Sequence, residues 1–301
     1  MTTSVIVTGT GTPIPSPDRA GPGVLVRADG LALQFDAGRG AVQRLAGAGL
    51  WPTDLDAVFL THHHSDHLTG LQDLVLTRWI MDRDDAVAAL PIVSPAGPTA
   101  RFVERMLDVW DDDVAVRLEH NPRARGPEVE ALEFEVPDVP AAVWTARDVV
   151  VVAGRVRHEP VEPAVGYRVQ TPDGVIAISG DTLVCDEVAA LATGADVLVH
   201  EAMRFEHFAG MGPERTFVLD YHADTRLIGA QAREIGVSTL VLTHLIPEPR
   251  TPEEVAAFVA DIRSGGFEGE VVVAEDLTTV SLPASRRESA PASADAGDRR
   301  S

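Results

Sequence analysis

One short stretch of the sequence holds four of the ten histidines together with an aspartate: His62, His63, His64, Asp66 and His67. Imidazole nitrogens and carboxylate oxygens are ligands that Zn²⁺ and related metals bind readily. In an extended segment alternate side chains share a side, so His62 and His64 point one way and His63 points the other. Asp66 and His67 then approach from the following turn. The spacing predicts a metal site, with a second metal position beside the first.

Histidines can also serve as local hydrogen-bonding residues, and for one isolated histidine that interpretation is the better one. Four imidazoles packed this closely would instead lower one another's pKa and leave buried donors without partners. Three further residues with ligand side chains follow apolar, strand-like runs: His158, Asp181 and His244. Taken alone, each could equally be a metal ligand or a residue with a structural role, either a buried side chain with its hydrogen bonds made or a carboxylate in a turn. Together with the first group they complete two coordination shells, with Asp181 bridging.

The composition limits the classes of function. The chain has 301 residues, of which 45% are hydrophobic, and its formal net charge is −21. All 25 basic residues are arginine. This charge disfavours a broad nucleic-acid-binding face, which needs clustered cations, although it leaves room for a local basic groove. The single cysteine, Cys185, excludes an internal disulfide framework and a four-cysteine zinc site, and it is expected to pack inertly.

The N-terminal residues and the hydropathy pattern bear on location. The first residues lack a charged start followed by an apolar run, so no signal peptide is expected. No stretch approaches the ~18 consecutive apolar residues of a membrane span. A cytoplasmic protein without membrane contact is therefore expected.

The ligand residues need elements to position them, and the sequence offers strands that alternate with helices. Many apolar runs are short, as at residues 57–61 and 239–242, and several lead directly into helical patterns. The periodicity predicts helices over residues 98–110 and 224–235. This alternation favours an α/β layered domain, in which the ends of the strands carry the chemistry.

Two segments fit this pattern poorly. Residues 111–148 are rich in Pro, Arg and Glu, and they are expected to form either an irregular insertion or a pair of antiparallel strands. Residues 284–301 have almost no apolar side chains, so a disordered C-terminal tail is expected there. Residues 1–283 would then form one folded domain.

The motif H-x-H-x-D-H, which His62, His64, Asp66 and His67 fill, resembles that of the metallo-β-lactamase superfamily. Further segments resemble its ribonuclease Z-like branch: Gly9-Thr-Gly-Thr-Pro13, Phe35-Asp36-Ala-Gly-Arg-Gly40, Ser179-Gly-Asp181-Thr182, Val199-His-Glu201-Ala202, Tyr221-His222-Ala-Asp-Thr225 and Leu242-Thr-His244. They are spread over most of residues 4–276. The resemblance implies a four-layer αββα sandwich and a hydrolase that uses two Zn²⁺ ions, with Mn²⁺ or Fe as other candidates.

The resemblance also implies how the ligands divide between the two ions. One ion would be held by three histidines: His62, His64 and His158. The other would be held by an aspartate and two histidines: Asp66, His67 and His244. Asp181 would bridge the two ions.

The same resemblance implies catalytic roles for Asp66, Glu201 and His222. Asp66 would orient the attacking water or take its proton. His222, kept charged by Glu201, would give a proton to the leaving oxygen. The sequence leaves plainer interpretations open, in which Glu201 pairs with an arginine and His222 caps the helix that begins near Asp224.

Other residues receive supporting roles. Asp36, with Gly38 and Gly40, would order the metal-binding loops. Gly9 and Gly11 either let a substrate phosphate approach backbone N–H groups or form a plain turn. The remaining histidines are expected at the surface or behind the ligands: His63, His120, His200 and His207.

The chain departs from the ribonuclease Z-like pattern in one respect. Short bacterial members carry a long tRNA-gripping arm between the positions of His158 and Asp181, and here that interval is 181 − 158 = 23 residues. The missing arm and the negative charge disfavour RNA as the substrate. The remaining motifs still indicate a phosphodiesterase or endonuclease of the tRNA 3′-end processing type.

Other functions and assemblies stay open at this point. The alternative substrates are small sulfate esters, lactones or carboxylic esters. A non-catalytic metal-binding protein is less well supported because the ligand set is intact. A di-iron redox enzyme would normally bring a flavin or partner domain, and none is visible. A homodimer is compatible with the sequence.

Overall fold

The computed structural model describes residues 2–84, 86–120 and 125–282. Its strands are β1 (Ser4–Gly9), β2 (Gly23–Ala28), β3 (Leu31–Phe35), β4 (Ala57–Phe59), β5 (Leu90–Pro95), β6 (Val129–Phe134), β7 (Ala141–Ala146), β8 (Val149–Arg155), β9 (Val165–Thr171), β10 (Gly174–Ile178), β11 (Val197–Met203), β12 (Thr239–Ile246), β13 (Glu270–Val273) and β14 (Thr279–Ser281). They form two seven-stranded sheets. The first has the order β14-β1-β2-β3-β4-β5-β6 and the second has the order β13-β12-β11-β10-β9-β8-β7.

Helices connect many of these strands. The α-helices are α1 (Ala41–Gly47), α2 (Ser65–Leu68), α3 (Leu71–Met81), α4 (Pro98–Arg105), α5 (Asp111–His120), α6 (Asp186–Ala192), α7 (Pro213–Thr216), α8 (Thr225–Ile235) and α9 (Pro252–Ser264). Short 3₁₀ helices occur at Pro52–Asp54, Asp108–Trp110, Phe205–Phe208 and Phe217–Asp220.

Alternate residues of the inner strands point into different apolar layers. On β1, Val5 and Val7 pack between the two sheets, whereas Ile6 packs with α1, α3 and α4 outside the first sheet. On β11, Val199 points between the sheets and Leu198 packs with α8 and α9 outside the second. Strands that are buried on both faces need a covering layer on each side. This confirms the four-layer αββα sandwich.

The direction of the strands brings several loops to one edge of this sandwich. β3 to β6 run parallel in the first sheet, and β10 to β13 run parallel in the second. Parallel strands end at a common edge of their sheet, where α/β folds place their ligands. The candidate metal ligands follow or end several of these strands, and they meet at this edge.

Over their described parts, residues 111–120 and 125–148 form neither an irregular insertion nor a pair of antiparallel strands, so both expectations are wrong. They contain α5, β6 and β7, and the two strands lie in different sheets. β6 pairs in parallel with β5, and β7 pairs antiparallel with β8. Each is the outermost strand of its sheet and is exposed or half-buried along its length. Such edge strands lack the apolar run that marks a central strand.

Other sequence expectations differ less from the structure. The helix expected over residues 98–110 ends at Arg105, and a 3₁₀ turn then leads into α5. The C-terminal tail expected over residues 284–301 lies outside the described residues. Within the described part of the chain, none of the helices combines the length and the apolar character that a membrane span requires.

Three backbone segments cross at contact distance beside the site, and glycines make the crossing possible. A Cβ added to Gly38 would overlap the carbonyl oxygen of Asp66 and the backbone of Gly21, and one added to Gly70 would overlap the carbonyl oxygen of Gly38. Two backbone hydrogen bonds fix the crossing, since Ala37 N donates to His67 O at 2.8 Å and Gly70 N donates to Ala37 O at 2.9 Å. The loop after β3 therefore holds α2, which carries Asp66, in place.

We expect Gly38→Ala to destabilise the fold by about 1–3 kcal/mol, the usual cost of overpacking a tight site. The added Cβ would meet two backbones, which cannot turn aside as a flexible side chain would. Gly126→Ala is the matched control, because its Cβ would lie 3.7 Å from Val114 Cγ1, an ordinary contact. Thermal unfolding of both variants measures the difference, and equal melting temperatures would contradict this account of the crossing.

Candidate metal centre

Four of the sequence-predicted ligands come from the segment that follows β4. Residues 60–64 lie between β4 and α2 without regular secondary structure, and the last of them, His64, is extended, with φ −64° and ψ 140°. The ring centroids of His62 and His64 lie 4.8 Å apart. The first turn of α2 then brings in Asp66 and His67, and the rings of His62 and His67 are 4.2 Å apart.

The remaining ligands come from the second sheet. His158 follows β8 and Asp181 follows β10, whereas His244 lies within β12. The pairing of β11 with β12 shifts register at this point, since Glu201 pairs with Thr243 and Ala202 pairs with Leu245. His244 is the extra residue of this bulge and has φ +45°. Bulges re-aim side chains and are common next to active sites.

Asp181 lies at the middle of the ligand set. Its Oδ2 is 3.2 Å from His67 Nε2 and 3.4 Å from His244 Nε2. The same oxygen is 3.9 Å from His62 Nε2 and 4.0 Å from His158 Nε2. One carboxylate therefore faces histidines from both halves of the site.

The ligand atoms fall into groups whose members all lie within 4.8 Å of one another. One group contains His62, His64, His158 and Asp181, and another contains Asp66, His67 and His244. The structure thus brings together all seven residues expected from the sequence, and Asp181 falls in the first of these groups. A third group, Asp181, His222 and His244, also has this spacing. His222 is therefore close enough to the centre to act either as a ligand or as a proton donor.

Several buried polar atoms at the centre show that this donor set fits a metal. His62 Nε2, His244 Nε2 and Asp66 Oδ2 have no hydrogen-bond partner among the described residues. Buried polar atoms are nearly always paired, so such a cluster calls for an explanation. Imidazole nitrogens and carboxylate oxygens that converge without protein partners are the donors that Zn²⁺ and related cations bind.

The electrostatics of the cluster agree with this assignment. Burial, together with His67, lowers the pKa of His62 well below its usual value, and burial beside His158 lowers the pKa of His64 to about 4. These imidazoles are therefore neutral, the form that binds metals. Burial opposes ionisation of Asp181, but His244 and His67 keep the pKa of this carboxyl well below its usual value.

His67 behaves differently from the other imidazoles. Burial lowers its pKa, but the carboxylates of Asp181 and Asp36 outweigh burial and hold the pKa of His67 well above its usual value. Its Nδ1 donates to Asp36 Oδ2 at 2.7 Å. A bound cation would supply positive charge beside these carboxylates, and His67 would bind it through an unprotonated Nε2.

The ligands are oriented by a set of hydrogen bonds behind them. Asp36, which has φ +53°, accepts from Thr61 N at 2.9 Å and from Thr61 Oγ1 at 2.8 Å, in addition to His67. Thr61 Oγ1 is also 2.9 Å from His62 Nδ1. His158 Nδ1 donates to the carbonyl oxygen of Tyr221 at 2.9 Å. Such partners fix the ring orientation of metal-binding histidines.

Sequence reasoning identified Asp36 but missed Thr61 and Tyr221. Thr61 directly precedes the histidine run and could have been found from that position. The contact of Tyr221 uses a backbone carbonyl, which every residue has, so no sequence signal marked it.

Glu201 and His222 form a buried pair beside the ligands. Glu201 Oε1 accepts from His222 Nδ1 at 2.8 Å and from Thr182 N at 2.9 Å. Burial lowers the pKa of His222, but the charge of Glu201 and this hydrogen bond raise it to about 9. Glu201 therefore pairs with His222 rather than with an arginine. The cap of α8 is Asp224, whose side chain accepts from Arg226 N, so His222 does not cap that helix.

The other histidines fall outside the ligand groups. His120 and His207 are exposed, and His63 is half-buried with its ring centroid 6.3 Å from that of His64. His200 is fully buried, and its Nδ1 donates to the carbonyl oxygen of Glu201 at 2.6 Å. These positions agree with the supporting or surface roles expected for them.

The glycines and the cysteine near the site have structural explanations. A Cβ at Gly9 would overlap the carbonyl oxygen of Gly21, and a Cβ at Gly11 would lie 2.6 Å from Ala20 O. Close approach of two backbones therefore explains both glycines. Cys185 is buried at the start of α6.

Comparison with known proteins agrees with the fold and the ligand pattern. A family model described as "Beta-lactamase superfamily domain" matches residues 33–245. A protein named ribonuclease Z from Mycobacterium bovis is 36% identical over 282 residues, which cover 92% of this chain and 98% of that protein.

Solved structures show the same architecture. The metallo-β-lactamase fold protein YhfI from Bacillus subtilis superimposes with a TM-score of 0.73 at 20% identity, over 93% of this chain and 100% of that one. The short form of human tRNase Z superimposes with a TM-score of 0.67 at 24% identity, over 93% of this chain and 99% of that one. The chain thus belongs to the β-lactamase superfamily and, within it, to the ribonuclease Z family.

Proposed function

We propose that the protein is a dinuclear metal-dependent hydrolase that cleaves phosphodiester bonds in RNA, with zinc as its native metal. The observation that carries the proposal is the Asp181 carboxylate shared by two groups of ligands, beside the Glu201–His222 pair. The chemistry that two bound cations supply is activation of a shared water and stabilisation of charge on the attacking and leaving oxygens.

The similarity to mycobacterial ribonuclease Z supports RNA over small esters. The sequence argument against RNA relied on net charge and on the missing arm. However, the alignment with the Mycobacterium bovis protein covers 92% of this chain and 98% of that one, so the similarity to a protein named ribonuclease Z extends over nearly all of both. Net charge is a sum over the whole chain and does not fix the potential at one site. Sulfate esters, lactones and carboxylic esters remain the alternative for the assays to test.

Three residues would act on the reacting atoms. Asp66 presents its unpartnered Oδ2 to the centre and is placed to orient the attacking water. His222 gives its Nδ1 proton to the hydrogen bond with Glu201, so the proton on its Nε2 is the one available for the leaving oxygen. Glu201 is a positioning residue, because it holds His222 in this orientation and keeps it charged.

The metal would be held by the seven residues already named. His62, His64 and His158 would form one half of the site and Asp66, His67 and His244 the other, with Asp181 shared between them. The sequence also predicts a cytoplasmic location and one folded domain over residues 1–283, and it is compatible with a homodimer. We include these three predictions in the proposal.

We expect about two equivalents of metal per chain in carefully purified protein, measured by elemental analysis. Asp181→Ala should lose most of the metal because one carboxylate faces both groups, whereas His67→Ala should lose less. His120→Ala is the matched control, since this histidine is exposed, lies outside the ligand groups and hydrogen-bonds to the Val116 carbonyl of its own helix. Chelation should abolish activity and added Zn²⁺ should restore it. Full activity in a metal-free preparation would rule out the proposed chemistry.

Asp36→Asn should weaken metal binding by roughly 10- to 100-fold, the usual effect of losing such a supporting partner. The substitution keeps the shape of the side chain but removes the charge that orients and polarises His67. Asp56→Asn serves as the control, because Asp56 accepts a hydrogen bond from Ala32 N at the other end of β4. Competition with a chromogenic chelator measures both affinities. Equal affinities in the two variants would show that Asp36 does not tune the site.

His222→Ala should lower kcat by roughly 10²- to 10⁴-fold on substrates with poor leaving groups, the usual range for general acids. The kcat for bis(p-nitrophenyl) phosphate should change little, because p-nitrophenolate departs without a proton. Glu201→Gln should show the same pattern more weakly. Metal content should be unchanged in both variants. Loss of metal in His222→Ala would instead assign His222 as a ligand, as the third group of donors allows.

A further inference from the structure

A row of aromatic rings leads outward from the metal centre. The ring centroids of His158 and Tyr221 are 5.3 Å apart, and those of Tyr221 and Phe217 are 6.2 Å apart. The row ends in solvent, since Phe217 is 55% exposed. We use the name aromatic row for Tyr221 and Phe217, the two rings of this series that are not candidate ligands.

Tyr221 is held firmly at the inner end of this row. Its carbonyl oxygen accepts the hydrogen bond from His158 Nδ1 at 2.9 Å. Its ring meets the His158 ring at 82° and lies 4.9 Å from the His222 ring, at 49°. The backbone of Tyr221 is therefore tied to one ligand, and its ring lies against both that ligand and the proposed proton donor.

Phe217 stands at the outer end, in a segment that contributes nothing to the cores. The 3₁₀ helix Phe217–Asp220 has no buried residue, and neither has α7 or the 3₁₀ helix Phe205–Phe208. A single exposed apolar side chain is ordinary in itself. This one differs because its ring contacts Tyr221, whose ring in turn contacts the candidate ligand His158.

We propose that the aromatic row is a stacking platform for the bases of single-stranded RNA beside the cleaved phosphodiester. Tyr221 would take the base nearest to that bond, and Phe217 would take the next base. The proposal rests on the proposed function and specifies how its substrate is recognised.

The chemistry of the chain favours this occupant. Stacking of bases on aromatic rings tolerates any sequence, because every base has a π-face. It also adds affinity without a basic surface, which suits a chain with a net charge of −21. A small sulfate ester or lactone held at the centre has no second ring to place on Phe217, whereas consecutive nucleotides supply one ring for each position of the row.

Phe217→Ala tests the platform on an RNA with a short single-stranded 3′ extension. We expect KM to rise roughly tenfold, toward the lower end of measured base–aromatic stacking, with kcat and metal content unchanged. Phe217→Leu keeps apolar area without a ring and should behave like Phe217→Ala, whereas Phe217→Tyr should restore the parent KM. Trp51→Ala is the matched control, because Trp51 is 56% exposed and precedes β4, at the end of the strand opposite to the metal centre.

A substrate change and a binding measurement complete the test. An RNA with an abasic nucleotide at the second position should give the same KM with parent and Phe217→Ala protein. A 2-aminopurine base at that position, in an uncleavable analogue, should lose fluorescence on binding to the parent, and the loss should be smaller with Phe217→Ala.

The outcomes separate the two proposals. If the parent cleaves the RNA and Phe217→Ala leaves both KM and the fluorescence change unaltered, the platform is wrong and the proposed function stands. If Phe217→Ala loses metal or kcat instead, Phe217 has a structural role and the platform is again wrong. If the parent cleaves no phosphodiester, the proposed function fails and the platform fails with it.

Discussion

The buried charge of Asp181 is the constraint on which the rest of the site depends. Its carboxylate is 2% exposed, and an ionised group so far from water costs several kcal/mol unless partners compensate. Here the compensation comes from imidazoles of both sheets, which face one oxygen atom from 3.2 to 4.0 Å. The two halves of the sandwich must therefore meet in one register for this charge to be tolerated. A bound cation would compensate the same negative charge, because metals bind ionised carboxylates together with neutral imidazoles.

The apolar layers and the close backbone contacts make this arrangement rigid. Two of the residues at the centre, Asp36 and His244, have positive φ although neither is glycine. Such conformations cost free energy and persist where the surroundings impose them. The three buried layers of the sandwich and the glycine crossing beside α2 supply those surroundings. Local strain at the site is thus offset by packing elsewhere in the fold.

The ligands at the centre account for the activation of water, whereas the choice of substrate depends on the side chains around them. The ligand set explains why a water can be activated, but sulfate, phosphate and carbonyl esters all present an oxygen that a cation can polarise. Discrimination among them has to come from side chains outside the ligand groups. Residues 205–221 are the natural place for it, because their short helices bury no side chain and the segment ends at Tyr221, whose ring contacts those of His158 and His222. In the proposed function Glu201 and His222 act on the leaving group, and in the proposed platform the exposed rings contact the bases attached to it.

The sequence by itself determined the residue types of the ligands and the α/β layering, for two physical reasons. Metals accept few kinds of side chain, and strands buried on both faces leave visible apolar runs. Only the tertiary structure decided which imidazole nitrogens face Asp181 Oδ2 and that a bulge turns His244 inward. Only the tertiary structure also showed that β6 and β7 join different sheets as edge strands, because such strands pair through backbone groups that every residue carries. For the same reason the sequence could not predict the hydrogen bond from His158 Nδ1 to the Tyr221 carbonyl, because a contact made by the backbone does not depend on the type of amino acid.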